Sequence, residues 1–153
     1  MFTVPPAVLR IIPLALCLLL RALPTQAGLA QPLASCSADG SLQGGVQQLA
    51  GGIQLQRVLT ADGVQLVEYA NSSGTVFGLA WRGPVRPDLP SLLGSRWAAL
   101  EAGSAHHHAG LHAASHSGGD IELRLGGHMR DFVGRAWAPS LLPAGFSAAE
   151  LQP

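Results

Sequence analysis

The sequence predicts an α+β fold: an antiparallel sheet of about five strands, a meander plus a hairpin, with one amphipathic helix packed on it. Three observations lead there. Short apolar stretches of period two alternate with Gly, Asn and Asp turns over residues 53–82, and again over 120–138. One stretch of helical period, residues 89–100, lies between them. No period of 20–50 residues repeats, which excludes solenoids and propellers.

The chain opens with a segment that the fold does not need. Arg10 precedes an apolar run over residues 11–20, which is within the roughly 7–15 of a signal-peptide core and short of the roughly 20 that span a bilayer. Arg21 closes the run, Pro24 breaks any helix, and Thr25-Gln26-Ala27 has the small-x-small pattern of a cleavage site. Residues 1–27 therefore read as a secretory signal peptide, and the mature chain has no transmembrane helix. A rival reading takes Leu33-Ala34-Ser35-Cys36 as a lipobox, with Cys36 lipidated. Fifteen residues, several of them polar, separate the apolar run from Cys36, whereas a lipobox follows its run directly. After cleavage at Ala27, Cys36 is the only cysteine, so no intramolecular disulfide can form.

Residues 28–51, rich in Gly, Gln, Ser and Ala, read as a loosely ordered lead-in with a short helical turn at 46–49. The single domain follows over 52–147. Residues 53–60 and 64–70 form a hairpin about Ala61-Asp62-Gly63, because Asp and Gly both tolerate positive φ. Asn71-Ser72-Ser73-Gly74 turns the chain into a third strand over 75–82, with Phe77, Leu79 and Trp81 on one face. Gly83-Pro84 and Pro87 end the meander, and Asp88 stands where a helix N-cap belongs. Leu89, Leu92, Leu93, Trp97 and Leu100 make one apolar stripe, and Gly94 within it suggests close packing on the sheet.

Residues 104–119 read as a His-rich, low-complexity loop. Residues 120–125 resume as a strand with Ile121, Leu123 and Leu125 inward; Gly126-Gly127 makes the turn, and 128–138 returns. Leu141, Leu142 and Phe146 cap the core, and 148–153 is a C-terminal tail.

Two blocks carry a family resemblance. The first runs from Ser73-Gly74-Thr75-Val76-Phe77 through Ala80-Trp81, Gly83-Pro84 and Pro87-Asp88-Leu89 to Leu92-Leu93-Gly94. The second is Gly126-Gly127-His128-Met129-Arg130 with Phe132, Gly134-Arg135-Ala136, Pro139 and Leu142-Pro143-Ala144-Gly145. Together they resemble an uncharacterised bacterial family, domain of unknown function 2844. The resemblance implies an exported protein of Gram-negative bacteria and no particular activity.

All nine basic residues are Arg; removing Arg10 and Arg21 leaves seven against nine carboxylates, a mature net charge of about −2. With no basic stripe, nucleic-acid binding is excluded as an expectation. Catalysis would need a nucleophile beside an oriented base. His128 and Asp131 in one block, and Ser72, Ser73 and Asp88 in the other, are the available groups, and no G-x-S-x-G elbow is present. A small hydrolase using His128 is one alternative. The other is metal binding: His108, His112 and His116 recur every fourth residue, so on a helix three imidazoles could meet Zn²⁺ or Ni²⁺. Gly110, Gly118 and Gly119 oppose that helix. The expected function is a non-enzymatic periplasmic or envelope-associated module with an unknown envelope partner.

Overall fold

The computed structural model describes residues 28–33, 40–103, 105–110 and 113–153, with only the backbone described over 105–110. Within these residues the chain forms β1 (Gly40–Leu42), β2 (Gln47–Gln48), β3 (Gln54–Thr60), β4 (Gln65–Ala70) and β5 (Val76–Gly83). Helices α1 (Leu89–Leu93) and α2 (Arg96–Gly103) follow, then β6 (Ala105–Gly110), β7 (Ala113–Gly118), β8 (Ile121–His128) and β9 (Asp131–Trp137). All the strands join one antiparallel sheet in the order β1-β3-β4-β5-β9-β8-β7-β6, with β2 beside β1 on the outer edge of β3. The sheet is antiparallel, as expected, but has nine strands rather than about five.

The meander forms as read. Gly63, at φ 78°, closes the β3–β4 turn, and Thr60 Oγ1 accepts the Val64 N–H at 3.0 Å. Asn71 closes the next turn, its Oδ1 accepting from the Ser73 and Thr75 backbone. One side chain departs from the expected alternation. The register shifts where Tyr69 opposes Gly78 and Ala70 opposes Val76, so Phe77 is an extra residue. That bulge turns Phe77 to the opposite face from Leu79 and Trp81.

The two faces of the sheet are covered differently. On one, α1 and α2 pack Leu93 and Leu100 onto Val58, Leu66, Leu79, Trp81, Ile121 and Leu123. On the other, the chain after β9 lays Leu142, Phe146 and Leu151 over Leu55, Val67, Tyr69, Phe77 and Trp137. Residues 148–153 are thus packed against the sheet, with Leu151 2 % exposed.

The single helix of the sequence reading is two short ones. Gly94, at φ 55° and ψ −134°, leaves helical space and donates its N–H to the Pro90 carbonyl. A Cβ there would meet nothing within 4 Å, so the glycine breaks the helix and makes no close contact with the sheet. The apolar stripe still reaches the core, because both helices lie on the same sheet face. Asp88 occupies the N-cap position, but its carboxylate takes the Ser91 hydroxyl at 2.6 Å and caps no backbone N–H.

Two further differences concern turns and loops. The second hairpin turns at Met129-Arg130, since His128 pairs with Asp131, Gly127 with Phe132 and Gly126 with Val133. The glycines belong to the strand. A Cβ on Gly127 would stand 2.0 Å from the Asp131 carbonyl oxygen, so only glycine fits this close approach. The His-rich segment, expected as a loop over 104–119, pairs Ala105–Gly110 with Ala113–Gly118 as a hairpin along β8. Its glycines explain part of that ordering. A Cβ on Gly118 would lie 2.9 Å from the Leu100 carbonyl oxygen, so this small residue lets α2 rest directly on β7.

The lead-in is also built into the fold. Ala30 donates to the Val76 carbonyl, Val76 to that of Gln31, and Leu33 to that of Gly74, so residues 30–33 extend the sheet beside the start of β5. Leu29 donates its N–H to the Leu92 carbonyl and buries its side chain under α1. In place of a helical turn at 46–49, the chain forms β2 and a 3₁₀ turn at Ala50–Gly52.

Candidate functional site

The one buried charged side chain among the described residues lies on β4, an interior strand of the sheet. On β4, Leu66, Glu68 and Ala70 share the helix face by strand alternation, and Glu68 stands in register between Gln56 of β3 and Leu79 of β5. Glu68 is 0 % exposed, and neither carboxyl oxygen has a hydrogen-bond partner among the described residues. Burial raises its pKa from 4.5 to about 7, because the low-polarity surroundings penalise the charged form. A carboxyl in this position is either protonated or in need of a cation. The sequence reading did not single it out. In Gln65-Leu66-Val67-Glu68-Tyr69-Ala70 both alternating sets mix polar and apolar residues, so period two does not mark either face as solvent. Burial of both faces is a tertiary fact.

A second polar constellation lies at the β8–β9 tip. Met129 and Arg130 take φ of 44° and 72°, a two-residue turn with positive φ at both positions. Such turns favour Asn-Gly, and side chains as large as these strain the backbone. Met129 is 91 % exposed. Beside the turn, Arg82 donates Nε to Asp131 Oδ1 at 2.8 Å and a terminal nitrogen to Oδ2 at 2.9 Å. These bonds, with a smaller contribution from the His128 charge, lower the Asp131 pKa. Both partners are largely exposed, so the pair orients the tip and adds little stability. Arg86 lies over the Phe132 ring at 5.2 Å.

A third group ties the fold together. Arg96 of α2 reaches the Asp120 carboxylate at 3.2 Å, and Ser140 donates to Asp120 through both its backbone N–H and its hydroxyl. The Ser140 hydroxyl is the main reason the Asp120 pKa is lowered.

The residues offered for a hydrolase are not brought together. His128 lies at the β8–β9 tip, next to the Gly83 end of β5, while Ser72 and Ser73 form the turn at the Val76 end of the same strand. Ser73 donates its hydroxyl to Asn71 at 2.6 Å, and Asp131 is held by Arg82. Of the metal candidates, His108 and His116 lie on strands and not on a helix. His108 opposes Ala114, whereas His116 opposes His106 on one side and Leu123 on the other. His108 and His116, eight residues apart, therefore do not lie on a helical stripe, and His112 lies outside the described residues. Among the described residues no three His, Cys, Asp or Glu side chains converge in a group that could hold a metal ion. Cys36 also lies outside the described residues.

The sheet, the helix pair and the packed C-terminal segment coincide with a sequence match. The model of the family described as Protein of unknown function (DUF2844) matches residues 25–151. The chain belongs to that family. Its matched span takes in the buried Leu29, both helices, the His-rich hairpin and Leu151, so the family unit includes the lead-in as well as the C-terminal segment. No curated protein and no solved structure matches the chain. No helix among the described residues is long and apolar enough to cross a membrane.

Proposed function

We propose that this protein is exported, is cut after Ala27, and works in the periplasm or cell envelope as a non-enzymatic module. The observation that favours this cut over the Cys36 lipobox is the use the fold makes of residues 28–33. Processing at Cys36 would remove Leu29, which is 2 % exposed within the helix-face core. It would also remove four backbone hydrogen bonds that join this segment to the β5 start and to α1. Losing one buried Leu costs about 2–5 kcal/mol, and each lost hydrogen bond adds about 1 kcal/mol. Such a sum approaches the whole stability of a domain this size. A cut at Ala27 leaves all of these contacts in place.

The module's exposed tip, with Met129, Arg130 and the Arg82–Asp131 pair, is the element best placed to meet an envelope partner, because strained and exposed backbone is retained where it is used. Mass spectrometry of the protein recovered from a cell envelope tests the processing. The expected N-terminus is Gly28. A diacylated Cys36 would establish the lipoprotein instead, and an intact Met1 in the cytosol would end the export reading.

A further inference from the structure

The cut after Ala27 has a chemical consequence inside the core. Hydrolysis of that peptide bond consumes one water, releases the Ala27 carboxylate with the leader, and leaves a protonatable amine on Gly28. The amine forms at a residue that is buried in the uncleaved chain. Gly28 and Leu29 are both buried, and the Gly28 carbonyl accepts the Gln31 N–H in a tight turn beneath α1.

Leu29 packs in one cluster with Leu66 and Ala70, the two residues that flank Glu68 on its face, and with Leu79, which opposes Glu68 across β5. Ala30 is bonded to Val76, the residue opposite Ala70. The residue that follows Gly28 and the residues that surround Glu68 thus share one core. Gln56 and Glu68 are the only buried polar or charged side chains among the described residues. Helix α1 carries no charged residue, and α2 contributes Arg96, already held by Asp120, and the exposed Glu101. The other described arginines are engaged elsewhere or lie at the exposed tip: Arg57 with Gln47, Arg82 with Asp131, Arg135 with the Ala148 carbonyl.

We infer that the Gly28 α-ammonium created by cleavage is the counter-ion of the Glu68 carboxylate, so that removal of the leader completes the core with an internal ion pair. Each group alone carries an uncompensated desolvation penalty, and together they relieve both. The leader-bearing chain, with an amide at Gly28, lacks the cation; there the carboxyl stays largely protonated up to about neutral pH. The device distinguishes precursor from product through one bond. It rests on the export reading through the position of the cut.

The chain contains no lysine, so an amine-reactive reagent reports on the N-terminus alone. The experiment compares the folded chain starting at Gly28, its Glu68→Gln variant, and a chain that keeps Ala27 as its first residue, all acetylated at pH 8. Pairing raises the amine pKa by a unit or more from its ordinary value of about 7.7–8.0, so at pH 8 the Gly28 chain should react at least about fourfold more slowly than Glu68→Gln. The Ala27-retaining chain, whose amine is displaced by one residue, should react as fast as a denatured control. Equal rates for the Gly28 chain and folded Glu68→Gln would overturn the pair, because burial alone would then explain any protection. If Glu68→Gln does not fold, the Ala27-retaining chain decides: slow reaction there equal to that of the Gly28 chain also overturns it. An exported chain whose N-terminus is not Gly28 defeats the export reading itself, which sequencing separates from a Gly28 amine that reacts freely.

Discussion

Adjacent residues on β4 show how differently the two faces of the sheet treat a buried polar group. Tyr69 faces the C-terminal segment, where its ring packs between Phe77 and Phe146 at centroid distances of 6.4 and 5.9 Å. Its hydroxyl donates to the Gln152 carbonyl at 3.0 Å and accepts the Gln152 N–H at 3.2 Å. Glu68 faces the helices and has no such partner. The tail face is closed by irregular chain, whose free backbone groups satisfy a polar tip. The helix face is closed by regular structure, whose backbone groups are mostly used within α1 and α2. A buried carboxyl there has to find its partner from a chain end or a side chain.

The contrast can be broken most forcefully in the apolar packing. Leu93→Ala on the helix face should cost about 4 kcal/mol, and Leu151→Ala on the tail face about 2–3 kcal/mol, because the terminal segment can settle into the vacated space against Gly78. Urea titrations of the two variants read the difference. Equal losses would mean that the tail is held as rigidly as the helices.

Titration of stability with pH sharpens the comparison at Glu68. In the uncleaved chain burial holds its folded pKa at about 7, above its ordinary value of 4.5. Between those values the native state holds a proton that the unfolded state has released, so stability falls as pH rises from about 4.5 to 7. The total is about 3 kcal/mol, and stability is level above that window. Glu68→Gln should abolish this slope. In the chain that begins at Gly28 the slope should shrink or reverse, since an ammonium beside the carboxylate lowers its pKa. Melting temperatures of the cleaved and uncleaved chains at pH 5 and pH 7 check both statements.

Tyr69→Phe is the matching change on the other face and should cost about 1 kcal/mol, the usual net worth of a satisfied hydrogen bond. A loss as large as that from Leu93→Ala would show that the Tyr69–Gln152 pair pins the whole C-terminal segment. The smallest effect expected is a gain. Replacing Met129-Arg130 by Asn-Gly should stabilise the chain by about 0.5–1 kcal/mol, because both residues then suit positive φ. If the tip is a contact element, the same change should weaken its partner interaction while raising stability, as measured by thermal unfolding beside a binding assay in envelope extracts.

Local chemistry determined part of this fold. Asp62-Gly63 and Asn71-Ser72-Ser73-Gly74 close turns wherever the flanking residues are strands, since positive φ at glycine and an Asn side chain that bonds its own backbone are properties of those residues. The antiparallel meander, the apolar stripe of Leu89, Leu92, Leu93, Trp97 and Leu100, and the family blocks were legible for the same reason. Other features were decided by neighbours distant in sequence. Gly94 could lie within a helix or end one, and the choice depends on how α1 and α2 meet the sheet. Phe77 alternates with Leu79 until a bulge opposite Tyr69 turns it into the tail-face aromatic cluster. Gly126-Gly127 looks like a turn, yet the cross-strand pairing of Val133 and Phe132 makes it strand and moves the bend to Met129-Arg130. The His-rich stretch has too few apolar residues to reveal a strand, and it becomes one because β8 offers an open edge and α2 rests on Gly118. Glu68 is the extreme case. Sequence can place a carboxylate on a strand, but only the covering of both faces of that strand removes it from water, and desolvation is the property that makes it chemically distinctive.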